Sequence, residues 1–258
     1  MTEMQADERD GSVIAGFAKG LAVIEVFDRG RERLTIADVA RLTGLERATA
    51  RRCLMTLVKT GHAEFDGKFY QLTPRVLRLG YSYLASAPLP RVVQPVLERL
   101  AEAIGESCSV SVLDGTEIVY VARASEKRVM SISLGAGSRL PASSASMGRV
   151  LLAALPEDEA RRRVEAGART ALTPNTKVSV EAILEAIREA RTQGYAIGDQ
   201  ELEIGLRSIA VPLFSSDGRV VAAMNVGGHA SRLPLDRLTG PVLDGLREAQ
   251  ADLRRVLG

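Results

Sequence analysis

The pattern of apolar and polar residues in the first eighty positions predicts three helices followed by a hairpin. Apolar side chains recur at helical spacing from Phe17 to Phe27. A second helical pattern begins after Thr35, which has the spacing of a capping box with Asp38. The third pattern covers residues 46–60 and follows the second after a tight turn. Two helices joined so closely predict a helix-turn-helix.

The third helix separates its apolar residues from its basic ones. Ala50, Leu54 and Leu57 form a single apolar stripe. The residues that we expect to contact DNA lie mostly outside this stripe in the first turns, and they are Arg47, Ala48, Thr49, Arg51 and Arg52. The arginines suit phosphates and guanine edges, and the small residues allow close approach. On the helical wheel, Arg52 points furthest from the core and Arg47 lies nearest the apolar side.

The segment after this helix alternates between apolar and polar residues around Asp66-Gly67, a strong signal for a two-residue hairpin turn. Three helices and a hairpin make a winged helix-turn-helix, which we place at residues 13–73. Lys68 stands at the hairpin tip, where we expect it to reach a neighbouring phosphate. The polar residues 1–12 are expected to form a disordered tail.

Positive charge is concentrated in the same part of the chain. Residues 31–80 contain ten basic and five acidic side chains, whereas the net charge of all 258 residues is +2. A basic module of this kind is typical of a polyanion partner, so we expect binding to double-stranded operator DNA. The alternative is that the arginines only solvate a surface helix. The preceding helix, the tight turn and the hairpin together favour DNA.

Residues 74–88 predict a linker helix between two domains. Pro74 suits its first turn, and the prolines of "APLP" end it, because proline lacks the amide that a continuing helix donates. The helix carries apolar side chains that one isolated element cannot bury. We therefore expect it to pair with its counterpart in a second chain, and the alternative is packing on its own chain.

Residues 89–258 alternate between strand and helix patterns and predict an α+β domain with a mainly antiparallel sheet. Strand patterns fall at 107–113, 117–124, 129–134, 207–214 and 219–226. Helical patterns fall at 91–104, 147–155, 157–166, 180–193 and 235–256. In the first of these strands Ser107, Ser109 and Ser111 share one face, and Cys108 lies on the apolar face opposite.

Residues suited to catalysis or metal binding are sparse. The histidines are His62 and His229, and the two cysteines are isolated from each other. The sequence contains no nucleophile–histidine–acid set, phosphate-binding glycine loop or zinc spacing. We therefore expect no catalytic residues, cofactor or metal, and an enzyme acting on a small acid is the less favoured alternative. With no secretory signal and no apolar run of bilayer length, a cytoplasmic protein without membrane contact is expected.

A serine cluster precedes the helical pattern that starts at Met147. Pro141 is followed by Ser143, Ser144 and Ser146. Free amides at the start of a helix, with hydroxyl groups beside them, form a suitable binding site for a carboxylate. The alternative is that these serines only cap the helix. The loop within residues 199–208 and the two late strands would supply the second wall of such a site.

Several longer segments are similar to those of one bacterial family. They are "GLAVIEVF", "TIADVARLTGLERATARRCL", "RLPASSASMGRVLLA", "GYAIGDQELEIGLRSIAVPLF" and "HASR". Together they resemble an IclR-type transcriptional regulator over nearly the whole chain, and most closely the branch that controls aromatic-acid catabolism by the β-ketoadipate pathway. The resemblance implies a GAF-like effector-binding domain after the winged helix-turn-helix and linker helix. It also implies homodimers or dimers of dimers.

The same resemblance implies a pocket for a small organic acid between the sheet and its helices. Positions that match the family's pocket are Leu140, Met147, Gly148, Asp199, Leu206, Ser208, Asn225 and Gly227. Ser144 joins them from the serine cluster. Many relatives carry serine at the last two of these positions, and Gly227 opens space there. Protocatechuate, 4-hydroxybenzoate or β-ketoadipate is the expected effector, and the alternative is a regulator of another carboxylate pathway, such as glyoxylate or sugar-acid use.

Overall fold

The structure is a computed structural model that describes residues 13–28, 30–125 and 134–257. The chain divides into two compact units, Met1–Tyr83 and Leu84–Gly258. The division falls within the predicted linker helix. The finer domain bounds given above stay predictions.

The first unit is a winged helix-turn-helix, as the hydrophobic pattern predicted. Its helices are α1 (Ala15–Glu25), α2 (Ile36–Thr43) and α3 (Arg47–Lys59), and its strands are β1 (Arg33–Leu34), β2 (Ala63–Phe65) and β3 (Tyr70–Leu72). The strands form one antiparallel sheet in the order β1-β3-β2. The capping box at the start of α2 is present, because the Thr35 hydroxyl accepts from the Asp38 amide and the Asp38 carboxylate accepts from the Thr35 amide.

The wing differs from the two-residue hairpin that was predicted. Phe65 pairs with Tyr70, so four residues separate the two strands rather than two, although the Asp66 amide still donates to the Phe69 carbonyl oxygen at 3.2 Å. The Asp66 side chain explains the longer loop, because its Oδ1 accepts from the amides of Lys68 at 2.9 Å and Phe69 at 2.8 Å. β1 was not predicted, since two residues carry no periodic signal, and its Arg33 pairs with the Asp66 carboxylate.

Three helical elements follow the wing. Pro74–Val76 forms a 3₁₀ turn, α4 covers Leu77–Ser86, and α5 covers Pro88–Ile104. The sequence placed the start of α5 at residue 91. It begins earlier because the first turn of a helix needs no amide donors, and proline is therefore accepted there. Among the described residues no helix is both long and apolar enough to cross a membrane.

The second unit confirms the predicted α+β class. Its strands are β4 (Ser107–Asp114), β5 (Glu117–Ala124), β6 (Arg139–Pro141), β7 (Ala196–Asp199), β8 (Leu206–Phe214) and β9 (Val220–His229). Its further helices are α6 (Ser146–Ala153), α7 (Glu157–Ala166), α8 (Val180–Gln193), the single turn α9 (Leu235–Arg237) and α10 (Leu243–Arg254). The strands form one antiparallel sheet in the order β6-β5-β4-β9-β8-β7.

Helices cover both faces of this sheet. α5 and α10 pack on the face that carries Cys108 and Val110. α6 and α8 pack on the opposite face, where the Ser111 hydroxyl lies 3.2 Å from the Met147 sulfur. The alternation predicted for β4 therefore directs its serines under α6. Any polar group on that face lies between two layers of the protein.

Three other features of this unit differ from the sequence prediction or lie outside the described residues. β6 and β7, each of three or four residues, were not predicted as strands. The final helix, predicted as continuous over 235–256, is interrupted by a wider turn at Leu238–Val242, because Pro241 lacks an amide donor. Most of the strand predicted at 129–134 lies outside the described residues.

Gly148 on α6 packs against the backbone of residues 142–145, which we call the serine loop, and this contact generates a prediction. A Cβ at position 148 would lie 2.1 Å from the Ala142 carbonyl oxygen. Gly148→Ala is therefore expected to lower the free energy of unfolding by roughly 1–3 kcal/mol in urea denaturation of the full chain. Gly245→Ala is the control, since its nearest neighbour is a Leu100 methyl at 3.4 Å. Equal effects of the two substitutions would contradict the close packing.

Candidate DNA-binding and effector-binding sites

The first unit has a concave surface between α3, the start of α2 and the wing. It is lined by Thr35, Ile36, Ala37, Arg47, Ala48, Arg51, Phe65, Gly67 and Lys68. Four of these residues were predicted to contact DNA: Arg47, Ala48, Arg51 and Lys68. We call these four the basic surface. A helix, a wing and cations that share one concavity provide the shape and charge that a duplex requires.

The two arginines of the basic surface lie one helical turn apart at the start of α3, and both are exposed. Within the described residues neither has a carboxylate partner, so their charge is available to a phosphate. The Lys68 ammonium lies 5.0 Å from the centre of the Phe69 ring, which holds it at the wing.

Arg52 does not line this concavity, although the helical wheel ranked it first. Its Nη2 donates to the Thr49 hydroxyl at 3.4 Å, along the outer side of α3. Arg47, ranked last, lines the concavity because α3 begins at that residue and its first turn faces the wing. The helical wheel gives only the direction in which each side chain leaves the helix axis. It does not include the position of the wing. DNA contact by each of these residues stays a prediction.

The second unit encloses a cavity between the serine-bearing face of the sheet, the start of α6 and the loop before β8. Its lining residues are Ser107, Tyr120, Arg123, Leu134, Leu140, Ala145, Ser146, Met147, Leu202, Leu206, Ser208, Asn225 and Gly227. Empty space between the lining atoms amounts to about 550 Å³, including the part open to solvent. The lining is apolar with a few polar groups, as in small-molecule sites.

Strand register places the polar groups of the cavity in two rows across the sheet. Arg123 of β5 pairs with Ser109 of β4, and Ser109 pairs in turn with Asn225 of β9. The neighbouring row contains Ser107, Gly227 and Ser208 on three adjacent strands. Because side chains two residues apart on a strand share a face, both rows point under α6. The sheet therefore supplies the polar floor of the cavity.

Arg123 is the charged residue of the cavity lining. Its Nη1 donates to the Ser109 hydroxyl at 3.1 Å and its Nε donates to the Ser125 hydroxyl at 2.8 Å. Burial lowers the pKa of Arg123 from its usual value. A guanidinium nevertheless keeps its proton in proteins. Within the described ranges no carboxylate lies at ion-pair distance from it, so the cavity presents a cation without a counter-ion.

Asn225 gives the cavity an unsatisfied acceptor. Its side chain is 8% exposed, and its Oδ1 is buried without a hydrogen-bond partner among the described residues. Such a group costs free energy unless a ligand or water supplies a donor. The position of Gly227 beside it leaves room, because a Cβ there would have its nearest neighbour, the Ser208 Cβ, at 3.6 Å.

Three of the nine residues predicted to bind the effector do not line the cavity. Ser144 is buried in the loop before α6, where its amide donates to the Pro141 carbonyl oxygen. Gly148 faces that loop and serves the packing described above. Asp199 is occupied by Arg207, whose Nε lies 2.8 Å from its Oδ1 and holds the pKa of the carboxyl below its usual value.

The other six predicted residues do line the cavity: Leu140, Met147, Leu206, Ser208, Asn225 and Gly227. Sequence reasoning missed Arg123 and Tyr120, both from the strand pattern at 117–124. One signal was available, since Arg123 is the basic residue in an otherwise apolar run that ends "YVARA". A charge in a strand buried on both faces calls for a partner or a ligand.

A winged helix-turn-helix joined to a second domain that encloses a cavity defines the class of ligand-responsive transcriptional regulators. Comparison with known families supports this class. A family model described as the bacterial transcriptional regulator IclR C-terminal matches residues 81–255, and the IclR helix-turn-helix domain matches residues 17–67. The chain belongs to the IclR family. It is therefore a DNA-binding transcriptional regulator, and the alternative of an enzyme is set aside.

Individual relatives extend the comparison. The chain is 41% identical over 251 residues to the Pca regulon regulatory protein of Pseudomonas putida, covering 97% of this chain and 86% of that one. A solved structure from Rhodococcus sp. RHA1 is 46% identical, with a TM-score of 0.80 and coverage of 95% and 98%. An IclR homologue from Microbacterium hydrocarbonoxydans, solved in complex with 4-hydroxybenzoate, is 28% identical, with a TM-score of 0.74 and coverage of 94% and 98%.

The basic surface generates a prediction for DNA binding. Arg51→Ala is expected to weaken binding by roughly 1–3 kcal/mol, because it removes a contact to a base or phosphate. The measurement is fluorescence anisotropy on a duplex that the wild-type protein selects from a random library. Arg255→Ala removes the same charge from an exposed residue of the second unit and should leave affinity unchanged. A loss confined to Arg52→Ala would contradict the basic surface and restore the ranking of the wheel.

Proposed function

We propose that the cavity of the second unit binds a small monocarboxylate that controls operator binding. The observation that carries this proposal is Arg123, a partly buried cation that has hydroxyl partners but no carboxylate partner in the described part of the chain. A guanidinium in this position pairs with a carboxylate through charge-assisted hydrogen bonds. The serine loop and α6 enclose the rest of the ligand.

The polar groups of the cavity favour a hydroxylated aromatic acid among the expected effectors. A ligand that satisfies Asn225 Oδ1 must bring a hydrogen-bond donor, which a phenol supplies. 4-Hydroxybenzoate and protocatechuate carry one carboxylate and such a donor. β-Ketoadipate carries two carboxylates and no donor, whereas the lining offers one cation. The Microbacterium homologue bound to 4-hydroxybenzoate supports the same choice.

We further propose that the regulator acts as a homodimer on a roughly palindromic operator in the cytoplasm. Leu77, Leu79, Tyr81 and Tyr83 are large, exposed side chains on α4. Leu77 and Tyr81 lie one helical turn apart on one side of α4, and Leu79 and Tyr83 lie on the opposite side. Exposed apolar side chains on two sides of a short helix favour burial against another chain. Two α3 helices related by a two-fold axis would read half-sites one helical turn, or a multiple of it, apart. Association into a dimer of dimers is part of this proposal.

The carboxylate anchor is tested by Arg123→Met. It is expected to raise the Kd for 4-hydroxybenzoate by roughly 10- to 150-fold in calorimetry on the full chain, because a charge-assisted hydrogen bond is lost. Arg139→Met is the matched control, since Arg139 lies on β6 beside the cavity but is already paired with Asp114 and Glu117. If the wild-type protein binds none of the expected acids below millimolar concentration, the proposed effector class is wrong.

The unsatisfied acceptor is tested by the preference for a hydroxyl group. The wild-type protein is expected to bind 4-hydroxybenzoate more tightly than benzoate by roughly 5- to 150-fold, because benzoate leaves Asn225 Oδ1 without a donor. Asn225→Ala should reduce this ratio towards one, mainly by improving the relative affinity for benzoate. The ratio comes from competition calorimetry with both acids. A ratio that survives the substitution would show that another group recognises the hydroxyl.

A further inference from the structure

One buried ion pair joins the two walls of the effector cavity. Arg149 lies on α6 and Glu201 lies in the loop between β7 and β8, and their side chains are 2% and 3% exposed. Arg149 Nη1 donates to Glu201 Oε1 at 2.6 Å, and Nη2 donates to Oε2 at 2.5 Å. Two parallel hydrogen bonds between planar groups fix orientation as well as distance.

Other groups complete the coordination of this pair. Arg149 Nε donates to the Ser143 carbonyl oxygen at 3.0 Å. The Lys177 ammonium and amide donate to the Glu201 carboxylate at 3.2 Å and 3.3 Å. The Thr176 hydroxyl donates to the Glu201 carbonyl oxygen at 2.6 Å. The loop is therefore held at Glu201 through both side chain and backbone.

Stability alone does not account for the pair. Burial raises the pKa of Glu201, but hydrogen bonds and charge from Arg149 and Lys177 outweigh this effect and hold the pKa below its usual value. The pair is thus ionised. Replacing a buried ion pair with apolar side chains of similar volume is often neutral or stabilising, whereas removing one partner is costly. The fixed geometry that this pair imposes is therefore the property that apolar side chains would not reproduce.

The segments that the Arg149–Glu201 pair holds together also line the cavity. Leu202 directly follows Glu201 and lines the cavity, and Leu206 lines it at the end of the same loop. On the facing wall Met147 lines the cavity two residues before Arg149. Of the described α6 side chains, only Arg149 hydrogen-bonds to this loop. The ion pair therefore ties the wall that carries Leu202 to the wall that carries Met147. A second link joins α6 to β8 just after the loop, where the Ser146 and Ser208 hydroxyls lie 2.9 Å apart.

The loop's own hydrogen bonds close its base but do not reach α6. The Gln200 amide donates to the Leu206 carbonyl oxygen at 2.8 Å, and Gln200 Oε1 accepts from the Gly205 amide at 3.1 Å. Gln200 also has a φ of 57°, an uncommon conformation for a residue other than glycine. Such a loop needs an external contact to keep one position against its neighbour.

We propose that Arg149 and Glu201 are positioning residues for the effector. They hold the loop that carries Leu202 against α6, so the cavity has its binding shape before the ligand enters. This role rests on the proposed function of the cavity and adds to it a pair of residues that do not touch the ligand. Preorganisation of this kind raises affinity, because the free energy of ordering the loop is not subtracted from the free energy of binding.

The test is the double variant Arg149→Met/Glu201→Leu in the full-length protein. Glu201→Leu leaves the Arg149 charge unpaired, and Arg149→Met leaves the Glu201 carboxylate with the Lys177 ammonium alone. Each single variant should therefore lower Tm, whereas the double variant should recover most of that loss. Its loop amides, residues 200–206, should nevertheless exchange hydrogen faster than in the wild type. Its Kd for 4-hydroxybenzoate should rise by about tenfold, which corresponds to about 1.4 kcal/mol.

A composition-matched control is Arg188→Met/Glu157→Leu, which removes an exposed ion pair of 3.0 Å between α7 and α8. It should change neither loop exchange nor Kd. If the stable double variant at 149 and 201 matches the wild type in both measurements, the pair is only structural and the proposal is wrong. If the wild-type protein binds no acid, the proposed effector class fails, and loop exchange still decides the positioning role.

A second variant keeps the proposal testable if the double variant does not fold. Glu201→Gln preserves the size and shape of the side chain but removes its charge and one strong acceptor. Loop exchange and Kd should then both increase, because the neutral amide leaves the buried Arg149 guanidinium without its counter-charge. Wild-type exchange and affinity in a folded Glu201→Gln protein would overturn the role assigned to the ionic pair.

Discussion

A sheet that is covered on both faces imposes the condition on which the effector domain depends. A polar side chain near the centre of such a sheet lies between two protein layers and must find a partner there. The serines of β4 meet this condition under α6, and Ser109 also supports the guanidinium of Arg123. Among the described residues, these contacts leave the Arg123 guanidinium without a carboxylate partner and the Asn225 Oδ1 without a hydrogen-bond donor. The same packing that buries the sheet therefore creates the demand for a ligand.

The elements with a long amphipathic pattern were predictable from sequence. The bounds of α7 and α8 coincide with the predicted 157–166 and 180–193, because each has one apolar face and clear ends. The short edge strands β6 and β7 were missed, since three or four residues are too few for a period to show. The break before α10 follows from Gly240-Pro241, which the apolar pattern across 235–256 concealed.

The candidate sites were less predictable because they depend on neighbours that are distant in the chain. Arg123 belongs to the cavity only through the pairing of β5 with β4 and of β4 with β9. Asp199 and Ser144 have the polar character of binding residues, yet one is occupied by Arg207 and the other is buried outside the cavity. Local chemistry identifies candidates, and only the fold decides which of them remain free.

The arginines of the two candidate sites differ in solvent exposure, and this difference affects how each site would bind an anion. On α3 the arginines are exposed and hydrated. If they contact phosphates as predicted, affinity for DNA is expected to depend strongly on salt, because cations condensed on the DNA are released on binding. Arg123 is only partly exposed, and its two serine partners replace part of the solvation that it has lost. A carboxylate that enters the cavity is therefore bound in a medium where salt screens little. If the roles proposed for Arg123 and for the Arg149–Glu201 pair hold, the geometry of the cavity walls, rather than net charge, determines which acid is selected.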